Sequence, residues 1–486
     1  MKHILSKSTF MYGCQCQKRL YLHKFKPELK NPEDENRQAI FQTGTYVGIL
    51  ARQLFDGGVD ASPPDTFSYH ISVKNTQHFL QTHFVIYEAA FQFEGVLCAI
   101  DILVRKKNKW YAYEVKSSTS VKPQYIDDAA LQYYVMKNSG LQIEDISIVY
   151  LNNEYVRNGN LEIEKLFATQ SVIDEVLEKQ RNVAEKIIEL KKLLENKQEP
   201  VIEIGKQCFD PYECDFTNYC WKNIPKENSI FDLTYGLAWK LYDEGIYHLD
   251  EIPDDFKLSA KAEIQLKHYK SGEIFCDKEA IKNFTNQFEY PLYFFDFETF
   301  NSAIPELNQS KTYQQIPFQF SLHIQKNKGE EVEHVEFLGD GISDPRIALI
   351  KSMLKHLGKS GNIVCYNKSF EQTRIKEMAL NFPEYENELL ALNERVVDLM
   401  EPFQKRWYYH PNFKGGYSIK IVLPTLISEL SYNNLEIKEG GTASFTYSQL
   451  RFQDKATQQL QRNQLLDYCK LDTFAMVKIW EWLIKI

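Results

Sequence analysis

An aspartate, a glutamate and a lysine flank a β-turn expected in the first quarter of the chain. The segment VLCAIDILVRKKNKWYAYEVKSS predicts two strands joined by a polar turn at residues 106–109. A symmetric turn pairs positions whose numbers sum to 215, which places Asp101 opposite Glu114, and strand alternation puts Lys116 on the face of Glu114. Such carboxylates can bind Mg²⁺ or Mn²⁺, while the ammonium stabilises phosphorane-like charge or orients a water. A cross-strand salt bridge is the alternative interpretation.

A second set of acids lies in the last 200 residues, in three separate segments. In PLYFFDFETF, Asp296 and Glu298 are two residues apart, so a strand projects both from one face while phenylalanines pack on the other. Glu371 follows a short strand in CYNKSFEQTRI, and Tyr468 and Asp472 stand at i and i+4 of a helix near the C-terminus. Acids on a buried strand are costly unless they bind something, which favours a metal site.

Three cysteines are evenly spaced in CFDPYECDFTNYC, with five residues between Cys208 and Cys214 and five between Cys214 and Cys220. Three thiolates require a fourth ligand to complete a tetrahedral zinc site or an iron–sulfur cubane. Zinc sites usually contain Cys-x-x-Cys pairs, and this sequence has none. From the spacing alone, an iron–sulfur cluster and Zn²⁺ both stay open.

The elements that would position these groups indicate an α/β protein. Helices are expected at about residues 36–55, 127–137 and 171–196, a strand pair at about 85–116, and alternating strands and helices from Pro291 onward. The 486 residues suggest several domains, and the net charge of −9 argues against a passive DNA-coating protein. No apolar run is long enough for a membrane span, so we expect no membrane partner and a cytoplasmic location with reduced thiols.

The first carboxylate set resembles the PD-(D/E)XK nucleases of RecB type, which include AddB and the CRISPR-associated RecB-like exonucleases. The matching order is Asp101, then Glu114-x-Lys116, then Gln132 on a following helix, while Met136 replaces the tyrosine of the family's Gln-x-x-x-Tyr motif. The resemblance implies that Asp101 and Glu114 bind the metal, with Lys116 assisting the attacking water and Gln132 supporting the site. Glu88 is a candidate extra ligand.

The same resemblance implies a 4Fe–4S cluster that joins the two ends of the nuclease domain. In RecB-type nucleases with such a cluster, one cysteine lies near the N-terminus and three follow the nuclease core. Cys16 is the preferred first ligand here, with Cys14 as the alternate, and Cys208, Cys214 and Cys220 complete the set.

The second carboxylate set resembles the tyrosine subtype of the DEDD exonucleases, which have an RNase H-like fold. The resemblance implies that Asp296, Glu298, Glu371 and Asp472 bind two metal ions and that Tyr468 orients the attacking water. Glu371 replaces the aspartate usual at its position, and Asp398 is interpreted as a supporting acid outside the pattern.

Together the two resemblances predict three regions and a nuclease function. Residues 1–225 would form the RecB-like domain with its cluster, 226–288 a helical connector, and 289–486 the RNase H-like domain. The predicted activity is Mg²⁺- or Mn²⁺-dependent hydrolysis of DNA phosphodiesters, by a 3′–5′ exonuclease centre and a RecB-like centre. Single-stranded DNA or DNA ends are the expected partners. The alternatives are an RNA exonuclease and a nucleic-acid-end binding module with one degenerate centre.

Overall fold

The chain forms two units. The computed structural model describes residues 5–32, 35–65, 67–233 and 237–486. Unit 1 comprises Met1–Asn223 and Ser302–Tyr313, and unit 2 comprises Ile224–Asn301 and Gln314–Ile486. Both are mixed α/β, which confirms the predicted α/β class.

Unit 1 has seven strands in one mixed sheet, with helices packed on it. Its elements are β1 Leu5–Ser6, α1 Lys7–Gln15, α2 Gln17–Phe25, α3 Glu35–Ala51, β2 Val59–Asp60, α4 Tyr69–Thr82, β3 Val85–Phe93, β4 Val96–Lys106, β5 Lys109–Lys116, α5 Pro123–Asn138, β6 Ile143–Leu151, α6 Ile163–Leu166, β7 Phe167–Ser171, α7 Ile173–Asn196 and α8 Thr217–Cys220. The strand order is β2-β3-β4-β5-β6-β7, and β1 pairs in parallel with the first residues of β4.

The hairpin of β4 and β5 has the predicted register. Ile102 pairs with Tyr113, and Val104 pairs with Tyr111, so the position numbers sum to 215 as expected. Lys107 and Asn108 form the turn with φ of 49° and 65°, the left-handed backbone that matches the twist of a two-residue hairpin loop. The predicted strand pair at 85–116 is in fact three strands, because β3 precedes the hairpin.

The predicted helices of unit 1 are present, and their apolar stripes explain where they pack. The long helix α7 buries Val176, Val183, Ile187, Leu190 and Leu194 at helical spacing. These side chains join a core that also contains residues of α5 and of β4. As a result, α5 is held against the sheet and presents its inner face to β4 and β5.

Unit 2 contains a five-stranded sheet covered by helices. Its elements are α9 Ala238–Asp243, α10 Ala260–Ser271, β8 Phe275–Cys276, α11 Lys278–Thr285, β9 Leu292–Phe300, β10 Ile316–Gln325, β11 Glu333–Leu338, α12 Arg346–His356, β12 Asn362–Cys365, α13 Ser369–Asn381, α14 Glu386–Asn393, β13 Val396–Asp398, α15 Glu401–Gln404, β14 Tyr408–Tyr409, α16 Ile419–Leu426, α17 Gly440–Gln449 and α18 Lys455–Leu483.

The central strand β9 separates two apolar cores. The sheet order is β11-β10-β9-β12-β13, with β10 antiparallel to β9 and with β12 and β13 parallel to it. Phe295 and Phe297 pack in one core, with α12 and α13, and Phe294 packs in the other, with α16 and α18. Asp296 and Glu298 share the second face by strand alternation, as predicted.

The domain limits differ from the predicted ones in two places. The region 226–288, predicted as a separate connector, belongs to unit 2. Residues 302–313, predicted in the C-terminal domain, belong to unit 1, where Ala303 and Ile304 are buried against the core around Val104 and Tyr113. Nowhere in the described ranges is there a helix with the length and apolar character that a membrane crossing needs.

Candidate functional sites

Three acids from neighbouring strands form the base of what we call the N-terminal centre. Asp101 lies on β4 and Glu114 on β5, and the Asp101 Oδ2 atom accepts a hydrogen bond from the Val115 N–H at 2.6 Å. The β3–β4 ladder skips Glu88, whose φ of 53° is left-handed, and the pairs on both sides place Glu88 beside Asp101. Glu88, Asp101 and Glu114 therefore form a row across β3, β4 and β5.

The Glu114 carboxylate is held by three donors. Lys116 Nζ lies 2.7 Å and Lys7 Nζ 2.6 Å from its Oε1 atom. Gln132 Nε2 donates to its Oε2 atom at 2.6 Å, from the inner face of α5. The structure thus brings Asp101, Glu114, Lys116 and Gln132 together, as predicted, and adds Lys7.

Two residues of this centre escaped the sequence analysis. Asp128 Oδ2 lies 2.6 Å from Lys116 Nζ and 3.5 Å from Lys7 Nζ. Asp128 is four residues before Gln132 on α5, so helical spacing placed it on the predicted site face. Lys7 had no comparable signal, because it reaches Glu114 from 107 residues away through the pairing of β1 with β4.

The pKa values in the N-terminal centre move in opposite directions. Burial, reinforced by Glu114, raises the pKa of Asp101 to about 8. Burial also acts to raise the pKa of Glu114, but Lys116 and Lys7 hold it well below its usual range. The Asp128 Oδ1 and Gln132 Oε1 atoms are buried without a hydrogen-bond partner among the described residues. The centre therefore keeps oxygen ligands for a cation, although Glu114 is already neutralised.

Tyrosines surround the open side of Lys116. Its ammonium lies 5.2 Å from the ring centre of Tyr125, and Tyr212, from the loop between Cys208 and Cys214, hydrogen-bonds with Gln124 and Tyr125. Tyr313, from the segment 302–313, donates to the Ser117 carbonyl. Tyr212 is 52% exposed and Tyr313 is 37% exposed. Rings in this position offer faces on which unpaired bases can stack.

The four predicted cluster cysteines line one pocket. Cys16, Cys208, Cys214 and Cys220 line it together with Arg19 and Phe216. Cys14 is exposed and does not line it, so the structure favours Cys16 as the residue on the N-terminal side. We call this set the cysteine pocket.

A zinc ion and a 4Fe–4S cubane require different distances between the sulfurs of the cysteine pocket. Among the residues that the structure describes, no three cysteine sulfurs lie within 4.8 Å of one another. A Zn²⁺ ion with four bonds of 2.3 Å holds its thiolates about 3.8 Å apart, whereas a cubane places each thiolate on a separate iron and spreads them further. Burial raises the pKa of Cys214 to about 11, so this thiol is protonated at neutral pH and must lose its proton when it binds a metal.

The second carboxylate set is assembled from β9, α13 and α18, and we call it the C-terminal centre. Asp296, Glu298 and the Cys469 sulfur place their ligand atoms within 4.8 Å of one another. The carboxyl group of Glu371 is in hydrogen-bond contact with that of Asp296. Asp472, one turn beyond Tyr468 on α18, adds its charge to the same group. All five predicted residues of this centre are therefore neighbours.

Negative charge in the C-terminal centre is poorly compensated. Burial, followed by the charge of Asp472, raises the pKa of Asp296 and of Glu298 well above their usual values. Burial raises the pKa of Glu371 to about 8 and that of Asp472 to about 6. The Glu371 Oε2 atom is buried without a hydrogen-bond partner among the described residues. A cation that prefers oxygen ligands would therefore stabilise the ionised carboxylates of this site.

Cys469, Tyr432 and Lys420 belong to the C-terminal centre but were not predicted. Tyr432 Oη donates to Asp472 Oδ1 at 2.5 Å, and Lys420 Nζ donates to Tyr468 Oη at 3.3 Å. Lys420 lies in the first turn of the short helix α16, and Tyr432 lies in a single helical turn between α16 and α17. Asp398 accepts the backbone N–H groups of Asn367, Lys368 and Met400, so it fixes the turn before Glu371 instead of facing a metal.

Comparison with known proteins finds a sequence domain that matches part of this chain. Residues 293–418 match the Domain of unknown function (DUF2779), a segment that contains Asp296, Glu298 and Glu371. "Uncharacterized protein MG366" of Mycoplasma genitalium is 26% identical over 402 residues, which cover 71% of this chain and 60% of that protein. "Uncharacterized protein UU173" of Ureaplasma parvum is 30% identical over 244 residues, 45% of this chain and 34% of that protein. The chain thus spans less than two thirds of these curated relatives.

Proposed function

We propose that this protein is a divalent-metal-dependent nuclease whose main active site is the C-terminal centre. The observation that carries the proposal is the convergence of Asp296, Glu298, Glu371 and Asp472 with raised pKa values and one unpartnered carboxylate oxygen. Four such carboxylates are the ligand set of a two-metal phosphodiesterase. The predicted 3′–5′ exonuclease activity on single-stranded DNA or DNA ends is the reaction that we assign to it.

The side chains around the C-terminal centre have separable roles in this reaction. Mg²⁺ or Mn²⁺, when bound, supplies the charge that makes a water nucleophilic and offsets the charge of the phosphate. Tyr468, whose hydroxyl accepts a hydrogen bond from Lys420, orients the attacking water. Tyr432 fixes the Asp472 carboxylate by donating to one of its oxygens, which leaves the other oxygen for a metal.

The topology of unit 2 supports an RNase H-like fold. Counted from β9, the sheet order is 3-2-1-4-5 with the second strand antiparallel to the first, which is the arrangement expected of that fold. In unit 1, the strand row with Gln132 behind it supports the RecB-like assignment. We propose that the N-terminal centre is a second nuclease site, with Asp101 and Glu114 as ligands and Lys116 beside the attacking water.

We also propose a 4Fe–4S cluster in the cysteine pocket, with Cys16, Cys208, Cys214 and Cys220 as ligands. The support is the convergence of four thiols on one pocket, one from the junction of α1 and α2 and three from the region after α7. Such a cluster would join the N-terminal helices to the region after α7. Cysteines that are not paired in disulfides are typical of a reducing compartment, in agreement with the cytoplasmic location that we propose. Purified protein should absorb at about 400 nm and contain iron. Colourless protein with one equivalent of zinc would establish the alternative metal.

The nuclease proposal is tested with end-labelled single-stranded DNA and RNA in the presence of Mg²⁺ or Mn²⁺. We expect loss of 3′-terminal nucleotides from DNA, and we expect Asp296→Asn to reduce that rate at least a hundredfold. Asp467→Asn is the matched control, because Asp467 is exposed on the same helix as Asp472. Cleavage of RNA alone would move the substrate to the alternative, and no cleavage with either metal would reject the enzyme.

The charge balance of the N-terminal centre supports a second candidate function for it, which is binding of nucleic-acid ends without cleavage. Lys7 and Lys116 already neutralise Glu114 without a metal. If Glu114→Gln leaves every cleavage product unchanged but weakens DNA binding, the N-terminal centre is a binding module. Loss of one class of products in Glu114→Gln would instead establish it as a second active site.

A further inference from the structure

The N-terminal centre contains a lysine that its predicted chemistry does not require. Lys116 follows Glu114 at the spacing expected of the motif, whereas Lys7 arrives from the first helix of the chain. Lys7 Nζ is 2.6 Å from Glu114 Oε1 and 3.5 Å from Asp128 Oδ2. These are the distances of a charge-assisted hydrogen bond and of a longer ion pair to two different carboxylates.

Lys7 and Lys116 duplicate each other around the same oxygen atoms. Lys116 Nζ is 2.7 Å from Glu114 Oε1 and 2.6 Å from Asp128 Oδ2. With Gln132 on the second oxygen, each oxygen of Glu114 has a donor. The Oε1 atom accepts from both ammonium groups, which occupies its two lone pairs, so a divalent cation can bind this oxygen only if one of the two lysines moves away.

Lys7 is the donor that can move. Its backbone is fixed, because β1 pairs Ser6 with Leu97 and the Ser6 side chain caps α1 with a reciprocal bond to Thr9. The side chain is 27% exposed, however, and so has a path to solvent. Gln132 is fully buried, and Lys116 also bonds to Asp128, which leaves Lys7 as the exchangeable cation.

We propose that Lys7 is a resident counter-ion that occupies the cation position of the N-terminal centre until a divalent metal displaces it. The inference rests on the proposed metal-binding role of that centre, though not on its nuclease activity. It accounts for the difference between the two centres. Among the described residues, no ammonium or guanidinium group forms an ion pair with the four acids of the C-terminal centre, whereas the N-terminal centre carries two ammonium groups on one carboxylate. The N-terminal centre should consequently bind metal more weakly, and Lys7 sets that affinity.

The test is Mn²⁺ binding, measured by calorimetry and by the electron paramagnetic resonance signal of free Mn²⁺. All proteins carry Asp296→Asn and Asp472→Asn, so that the C-terminal centre does not contribute. We expect Lys7→Met to bind Mn²⁺ at least tenfold more tightly than its parent. Lys7→Arg keeps the positive charge and should stay within about threefold of the parent.

The matched control is Lys24→Met, since Lys24 is exposed on α2 and forms no described ion pair with Glu114 or Asp128. Thermal unfolding and circular dichroism establish that each variant is folded. An affinity in Lys7→Met equal to or weaker than that of Lys24→Met would overturn the proposal, and so would an absence of Mn²⁺ binding in both. Tighter Mn²⁺ binding without any cleavage of nucleic acid would leave this inference standing while the nuclease function fails.

Discussion

Replacing Asp472 with asparagine should stabilise the metal-free protein at pH 8 and remove most of its stabilisation by Mn²⁺. The substitution keeps the shape of the side chain and an oxygen that can accept the Tyr432 hydroxyl. What it removes is one negative charge from a group of four buried acids. The structure therefore predicts opposite signs for the effect with and without metal.

The size of the effect follows from the pKa of Asp472. Burial raises this pKa from 3.8 to about 6, which corresponds to about 3 kcal/mol lost by the folded state when the group is ionised. A carboxyl whose pKa is higher in the folded state favours folding most at low pH, and that contribution is lost as pH rises from about 4 to about 6. At pH 8 the variant should gain up to about 3 kcal/mol, or several degrees in Tm, and near pH 4 the gain should vanish.

Thermal unfolding in EDTA and in Mn²⁺, at several pH values, measures both effects. Wild type should lose Tm from pH 5 to pH 8 in EDTA and regain it with Mn²⁺, because the ion binds the ionised carboxylates. Asp472→Asn should show a flatter pH profile and a small response to Mn²⁺. Asp467→Asn, exposed on the same helix, should behave like wild type. A lower Tm for Asp472→Asn in EDTA at pH 8, or a full Mn²⁺ response, would refute the charge argument.

Three further substitutions test other parts of the molecule. Cys16→Ser should abolish the absorbance at about 400 nm, whereas Cys14→Ser should retain it, and equal loss in both would contradict the ligand assignment. Tyr432→Phe removes the hydroxyl that fixes the α18 aspartate and should lower Mn²⁺ affinity several-fold with an unchanged fold; an unchanged affinity would show that the hydroxyl is dispensable. Tyr212→Leu should weaken binding of a short single-stranded oligonucleotide in EDTA about tenfold, checked by fluorescence anisotropy, with exposed Tyr247→Leu as the control.

The parts of the fold that followed from the sequence are those governed by short-range rules. The turn at Lys107 and Asn108 fixes the pairing of β4 with β5, because a two-residue loop leaves no freedom of register. The placement of Asp296 and Glu298 on one face of β9 also followed from the sequence, because successive side chains of a strand alternate between its faces. In both cases, neighbouring residues in the sequence determine which side chains meet.

The residues that the sequence did not reveal are brought to their sites by long-range pairing. Lys7 depends on a two-residue strand, which is too short to have a pattern. Lys420 lies on the short helix α16 and Tyr432 on a single helical turn, and the segment 302–313 adds Ala303 and Ile304 to a core of unit 1. Tertiary packing, not local propensity, places all of these groups.

The two centres show why the number of acids alone is a poor guide to metal binding. Each centre gathers four carboxylates, but in the N-terminal centre Lys7, Lys116 and Arg52 make ion pairs with three of them. In the C-terminal centre the charge of Lys420 acts to lower the pKa of Glu298 and of Asp472, but no described residue forms an ion pair with any of the four acids, and the pKa of each acid is raised. Buried charge must be compensated by some cation, whether an ammonium group or a metal. A centre that supplies its own cations needs a metal less, which is why the C-terminal centre should fill first when Mn²⁺ is limiting.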